Sequence, residues 1–403
     1  MPPPAETRPA NEPGMPKIGS CFTGVAGLDM AVEAVTGGRV VWHSEVDPAA
    51  SKVLATHYPD IPNHGDITAI DWDAVEPVDI LCGGPPCQDV SAAGAKAGLG
   101  EGTRSGLWAH MAHAIEMLEP KLVIIENVRG LLSTKANRHN TIGEHSEQPA
   151  ADSGVEPANH AVGQANSRRR EPVLRAIGAI FGDLAERGYH AAFRTVRASD
   201  VGAPHIRARV FILAWRHDVN PADWIAALDF RPAPAPAATL LPTPVTTDAR
   251  SAARHTTSTG VMHPGTTLTD AVRSMMLPTP TSADGRRGPD LARANRAGSG
   301  ADDLVTFAVK TSRANTWHLY GPVINHWAML TQPPPDPTEP NNRGNPRLAP
   351  PFAEWMLGWP AGWVTGVPDL NRTAQLTCIG NGVCPQQAAF ALRLLLDDAA
   401  GAT

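Results

Sequence analysis

The sequence predicts an α/β protein: a doubly wound, mostly parallel sheet with a second, smaller domain attached. Three observations lead there. From Lys17 to about Trp215, short apolar runs alternate with amphipathic stretches, the pattern of strands joined by crossover helices. After Arg216 that alternation stops, and a proline-rich stretch, RPAPAPAATLLPTP, begins. With 403 residues the chain exceeds the usual size of one domain, so two cores are expected.

The expected strands are Lys17–Phe22, Arg39–Val46, Val78–Cys82, Lys121–Glu126, Ala191–Arg197 and Arg209–Ala214. Helical spacing occupies Gly27–Val35, Pro48–His57, Ser105–Leu118 and Glu171–Arg187. A parallel sheet of this kind binds its ligands at the carboxyl ends of the strands. Residues 1–16, MPPPAETRPANEPGMP, lack the apolar core of a signal peptide and read as a disordered leader. The stretch 133–170 is polar, has no apolar period and reads as a mobile insertion. One domain is therefore expected from 17–215 with 347–398, and another from 216–346. The second contains a repeat: Leu241-Pro-Thr-Pro244 returns 36 residues later as Leu277-Pro-Thr-Pro280, with Leu268 and Leu304 at the same offset. Two copies are too few for a solenoid, so a duplicated loop-and-strand unit is expected. Arg347–Trp363 and Cys378–Leu395 regain helical spacing, the latter as a helix docking back on the first domain.

Composition removes several classes. No apolar stretch is long enough to span a bilayer. The five cysteines (Cys21, Cys82, Cys87, Cys378 and Cys384) are odd in number and widely spaced, which argues against a disulfide framework and against zinc. A reducing, cytoplasmic setting and no metal are expected, and a monomer. The net charge of −6 does not advertise a nucleic-acid binder. Between Arg231 and Tyr320, however, 10 Lys and Arg face 6 Asp and Glu. Loops of that sign could track phosphates, although a solvated mixed surface explains the count nearly as well.

Chemistry concentrates at the predicted strand ends. Phe22-Thr-Gly24-Val-Ala-Gly27 follows a strand and opens a helix, where glycines admit a ligand to the backbone and free N–H groups await it. A plain tight turn would look the same. Glu45 and Asp47 end the next strand; a carboxylate there grips ribose hydroxyls or caps the following helix. Asp66 and Ile67 could meet an adenine ring. No Gly-Lys-Ser/Thr follows, so the pocket suits an adenosyl group without a phosphate grip. Most informative is Cys82-Gly-Gly84-Pro85-Pro86-Cys87-Gln88. Two glycines and two prolines form a rigid loop that presents Cys87, and a thiolate there would be a nucleophile. Cys82, inside the strand, reads as packing. The next strand ends in Glu126-Asn127-Val128, and a carboxylate after a buried apolar strand is seldom there for packing. In His205-Ile-Arg207-Ala-Arg209 the alternation puts both arginines on one face, suited to a base oxygen or to phosphates, or else to a solvated edge.

These motifs resemble the cytosine C5-specific DNA methyltransferase family, in the family's order. They are the Phe22–Gly27 turn, Glu45, Asp66, Pro85–Gln88, Thr103-Arg-Ser-Gly-Leu107, Glu126–Val128, 205–209, Arg347-Leu-Ala-Pro and Cys378-Ile-Gly-Asn381-Gly-Val. The resemblance spans about 17–215 and 347–398, and it places the repeat in the family's variable target-recognition region. It implies a Rossmann-like domain that binds S-adenosylmethionine, with double-stranded DNA as partner. Cys87 would add to C6 of a flipped-out cytosine, Glu126 would hold or protonate N3, and Arg209 would bind O2, with Arg207 beside it in the catalytic set. Phe22, Gly24, Gly27, Glu45, Asp66, Ile67, Gly84, Leu107 and Asn381 would line the cofactor. Gln88–Thr103, rich in glycine, would close as a lid. The pattern departs from the family at His205 (usually Gln), Ala26 (commonly Gly) and Pro351 (usually Arg). Rival readings are a tRNA-methylating branch, an inactive DNA-binding relative and a thiol hydrolase. A recognition region of this size favours duplex DNA, the complete Cys87, Glu126 and Arg209 set favours activity, and no evident His partners Cys87.

Overall fold

Leu122, Val123, Ile124 and Ile125 form an unbroken apolar run, and all four are buried, as suits a strand covered on both faces. They belong to β4 (Leu122–Val128) of a six-stranded sheet. The structure is a computed structural model, and it describes residues 15–86, 107–133, 176–224, 276–286, 288–290, 303–314, 317 and 320–401. The other strands are β1 (Lys17–Cys21), β2 (Arg39–Ser44), β3 (Ile80–Gly83), β5 (Tyr189–Arg197) and β6 (Ala208–Arg216), in the order β2-β1-β3-β4-β6-β5. Neighbours from β2 to β4 are parallel, whereas β6 runs antiparallel to both β4 and β5.

Alternation sends side chains to two layers. Leu122 and Ile124 pack with helices α1 (Gly27–Thr36) and α9 (Pro385–Gly401). Val123 and Ile125 pack on the other face with α3 (Leu107–Leu118) and α4 (Ala176–Glu186). Between α1 and α3, α2 (Pro48–His57) starts at Asp47, whose carboxylate accepts from the N–H groups of Ala49 and Ala50. Such a cap contributes about 1 kcal/mol, and Asp47 lines a cavity at the sheet edge as well. The register aligns Cys21, Gly83 and Ile125 across β1, β3 and β4, so their carboxyl ends open on one edge.

Two expectations about the second half need correction. Leu304 opens a helix, α5 (Leu304–Ala314), and not a strand. A six-residue apolar run cannot tell the two apart by period. The stretch expected as one helix over Cys378–Leu395 is split between α8 (Arg372–Asn381) and α9, because Pro385 has no N–H to continue a helix and starts a new one instead. Also, the described residues between 216 and 346 share the main core. Leu277, Leu304, Phe307 and, from α6 (Gly321–Leu330), Ile324 and Trp327 belong to the cluster containing Leu122 and Leu213. A short hairpin, β7 (Thr338–Pro340) with β8 (Pro346–Leu348), leads into α7 (Pro350–Met356). The leader up to residue 14, Cys87 and the lid segment through Thr103, residues 134–170 of the insertion, and the first repeat copy lie outside the described residues. Among the described residues no helix is long and apolar enough to cross a membrane.

Candidate active site

A cavity of about 420 Å³ opens at the carboxyl edge of the sheet, within the usual size for a cofactor site. One wall is the β1–α1 turn. Phe22, Gly24 and Ala26 adopt φ of 53°, 58° and 65°, and each left-handed non-glycine residue costs about 1–3 kcal/mol. The turn is fixed from the β2 side: Glu45 Oε2 accepts from the Gly24 N–H at 2.6 Å, and Oε1 from the Asp47 N–H at 2.7 Å. Burial raises the Glu45 pKa despite these donors. Asn63 brackets the Glu45 backbone, accepting from its N–H and donating to its carbonyl.

The remaining walls hold most of the residues expected there. Phe22, Gly24, Glu45, Asp66, Ile67, Gly84, Leu107 and Asn381 all line the cavity. Gly27 does not: a Cβ there would meet the Val383 carbonyl oxygen at 2.3 Å, so its bareness serves the contact between α1 and the α8–α9 link. Asp66 accepts from the Thr68 N–H at 2.9 Å, which holds its carboxyl below the usual range. Val46 lines the cavity although it is 70% exposed. An apolar side chain left open at a strand end suits the face of a planar ring. Neither Val46 nor Asn63 was singled out from sequence. Val46 is the last residue of the expected strand, whereas β2 ends at Ser44 and leaves it on the cavity rim.

Beside this cavity lies a second group of residues. On β4, Glu126 pairs with Arg209 Nε of β6 at 2.8 Å, and both side chains are largely covered. Burial raises the Glu126 pKa, and the opposing pull of Arg209 and Arg207 is the smaller effect. A carboxyl in this setting holds its proton to higher pH than usual. The Gly84–Pro86 loop lies on it: a Cβ placed on Gly84 would be 3.4 Å from Glu126 Oε2. Asn127 Nδ2 donates to the Pro85 carbonyl at 3.0 Å. The side chain next to Glu126 thus fixes the loop that leads into Cys87. Asn127 is a further residue that sequence reasoning quoted without assigning.

Arg207 is placed differently from its expectation. Its guanidinium is buried and donates to the carbonyls of Pro280, Gly380 and Gly382 at 2.9–3.1 Å. Charged donors of this kind contribute about 1.5–3 kcal/mol per bond. Arg207 therefore ties the second repeat copy to the cavity wall around Asn381. His205 explains its own departure from the family. Burial and Arg207 push its pKa down to about 3, so it stays neutral. Nε2–H then donates to the Met356 carbonyl, and Nδ1 accepts weakly from the Arg207 N–H. A neutral imidazole thus bridges donor and acceptor as a glutamine amide would. Pro351 falls in the first turn of α7, where a missing N–H costs nothing. Cys21, Cys82, Cys378 and Cys384 are all buried, and burial raises each thiol pKa, to about 12 for Cys378 and about 11 for Cys384. None of the four is poised as a thiolate.

A family model described as C-5 cytosine-specific DNA methylase matches residues 17–148 and 164–393. The chain belongs to this family. The sheet is accordingly the Rossmann-like sheet of S-adenosylmethionine-dependent methyltransferases. Among curated relatives, the type II methyltransferase M.NlaIV of Neisseria lactamica is 29% identical over 196 residues, 47% of this chain and 39% of that protein. The type II methyltransferase M.HpaII of Haemophilus parainfluenzae is 39% identical over 112 residues, 27% of this chain and 30% of its own length. The match spans well under half of either relative. The crystal structure of S. pombe Dnmt2 methyltransferase has the same fold, with a TM-score of 0.50, 11% identity, and coverage of 95% of this chain and 99% of that one.

Proposed function

We propose that the protein transfers a methyl group from S-adenosylmethionine to C5 of a cytosine flipped out of a specific duplex DNA sequence, through a covalent adduct of Cys87 at C6. The observation that carries this is the Glu126–Arg209 pair, side by side beneath the loop that leads into Cys87. N3 and the exocyclic O2 of cytosine lie side by side on one edge of the base, so neighbouring carboxyl and guanidinium groups suit them. The type II methyltransferases among the relatives support placing this role in restriction–modification.

The cavity fits the cofactor's parts. Glu45 would accept from ribose hydroxyls, Val46 would cover one face of the adenine, and Asp66 would reach its edge. S-adenosylmethionine, when bound, supplies an electrophilic methyl group. The Cys87 thiolate adds to C6, and the ring electrons move toward N3 and O2. Glu126 gives its proton or a hydrogen bond at N3, and Arg209 donates at O2, so charge building there is neutralised in a site short of water. C5 then takes the methyl group as the methyl's bond to the sulfonium sulfur breaks and a neutral thioether is left. C5 loses its proton to a base, and the returning electrons expel Cys87. The second repeat copy, tied by Arg207 to the cavity wall, belongs to the recognition region in this reading.

DNA from cells expressing the protein should carry 5-methylcytosine within one recurring sequence, read by bisulfite sequencing. Modification at adenine, or of tRNA transcripts and not DNA, would contradict the proposal. Val46→Ser should weaken S-adenosylmethionine binding by about fivefold, the loss of one partly covered aliphatic side chain. Because Val46 is exposed, thermal stability should hold. Unchanged affinity measured by calorimetry would remove Val46 from the adenine site.

A further inference from the structure

Trp363 and Val25 are 338 residues apart, yet the Trp363 indole N–H donates to the Val25 carbonyl at 2.9 Å. Both residues are buried. The indole stacks on His57 with ring centroids 3.7 Å apart, and His57 Nε2 bonds the Trp363 carbonyl at 2.7 Å. The loop carrying Trp363 is itself held by Glu354, which is 1% exposed. Its carboxylate accepts from the N–H groups of Gly362, Val364 and Thr365 and from Thr365 Oγ1, at 2.6–3.0 Å. A buried carboxylate with four donors is fully satisfied and holds its neighbours rigidly.

What this post supports is the strained wall of the cavity. Val25 lies between Gly24 and Ala26, both left-handed, and such a turn persists only where its surroundings over-determine it. Neither Trp363 nor Glu354 lines the cavity. We propose that Glu354 and Trp363 are positioning residues that hold the β1–α1 turn in its cofactor-binding shape, so that cofactor affinity depends on a loop outside the cavity. This rests on the reading of the cavity as the S-adenosylmethionine site.

Trp363→Phe keeps a ring to stack on His57 and removes only the N–H, leaving the Val25 carbonyl buried and unpaired. Trp327→Phe is the matched control. It removes an equivalent bond, to the Trp355 carbonyl at 2.9 Å, in the same core but away from the turn. In cofactor-free protein, W363F should speed amide hydrogen exchange at residues 22–27 by about tenfold, and W327F should not. W363F should also weaken S-adenosylmethionine binding by about tenfold, while turnover at saturating cofactor stays within about twofold. Glu354→Gln puts an amide donor where an acceptor is needed and should move both readouts the same way. Equal effects in W363F and W327F, or unchanged exchange and affinity in W363F and E354Q, would overturn the proposal. If unsubstituted protein bound no S-adenosylmethionine, the cavity reading would fail and the affinity claim with it; the exchange comparison would still decide whether Trp363 holds the turn.

Discussion

Replacing Glu126 with Gln is expected to slow single-turnover methyl transfer by about 10²–10⁴-fold, the usual worth of a positioned acid. Affinity for S-adenosylmethionine should change by less than about twofold, because an interaction made mainly in the transition state leaves ground-state binding nearly untouched. The physical basis is the environment of Glu126: burial raises its pKa, and Arg209 beside it does not cancel the shift. The carboxyl is therefore protonated below its raised pKa and loses that proton as pH climbs through it. Single-turnover rates should show a falling limb on that side, and the limb should be missing in Glu126→Gln, whose amide does not titrate. Lost cofactor affinity with turnover preserved would instead assign Glu126 to the adenosyl site.

Much of the frame was legible because a buried sheet writes itself plainly into sequence. The run Leu122–Ile125 has no polar residue to leave its register in doubt, and each of the six strands expected between Lys17 and Ala214 lies within a few residues of an observed one. Eight of the nine residues expected around the cofactor line one cavity, since strand ends of a parallel sheet converge on one edge. What sequence hid depends on long-range partners. Alternation put Arg207 and Arg209 on one face but could not show that the Gly380 and Gly382 carbonyls wait there for Arg207. Asn63 and Asn127 bridge backbone groups, a role that leaves no period. Glu354 and Trp363 act through a loop that contributes nothing to the cavity's own lining. The apolar run from Leu304 was read as a strand because its length fits either element.

The most direct test of the account concerns Cys87 against its four companions. The neighbouring Pro85 is fixed by Asn127, and the other thiols are buried and held protonated. Duplex DNA with 5-fluorocytosine at the target should trap the enzyme. After methyl transfer C5 carries fluorine in place of the hydrogen that must leave, so elimination stalls. The adduct should require S-adenosylmethionine, survive denaturation, and yield one peptide attached through Cys87 by mass spectrometry. Cys87→Ser should abolish it, because a hydroxyl is far less nucleophilic near neutral pH, while Cys82→Ser should still trap. Attachment at Cys21, Cys82, Cys378 or Cys384, or undiminished trapping by Cys87→Ser, would contradict the account.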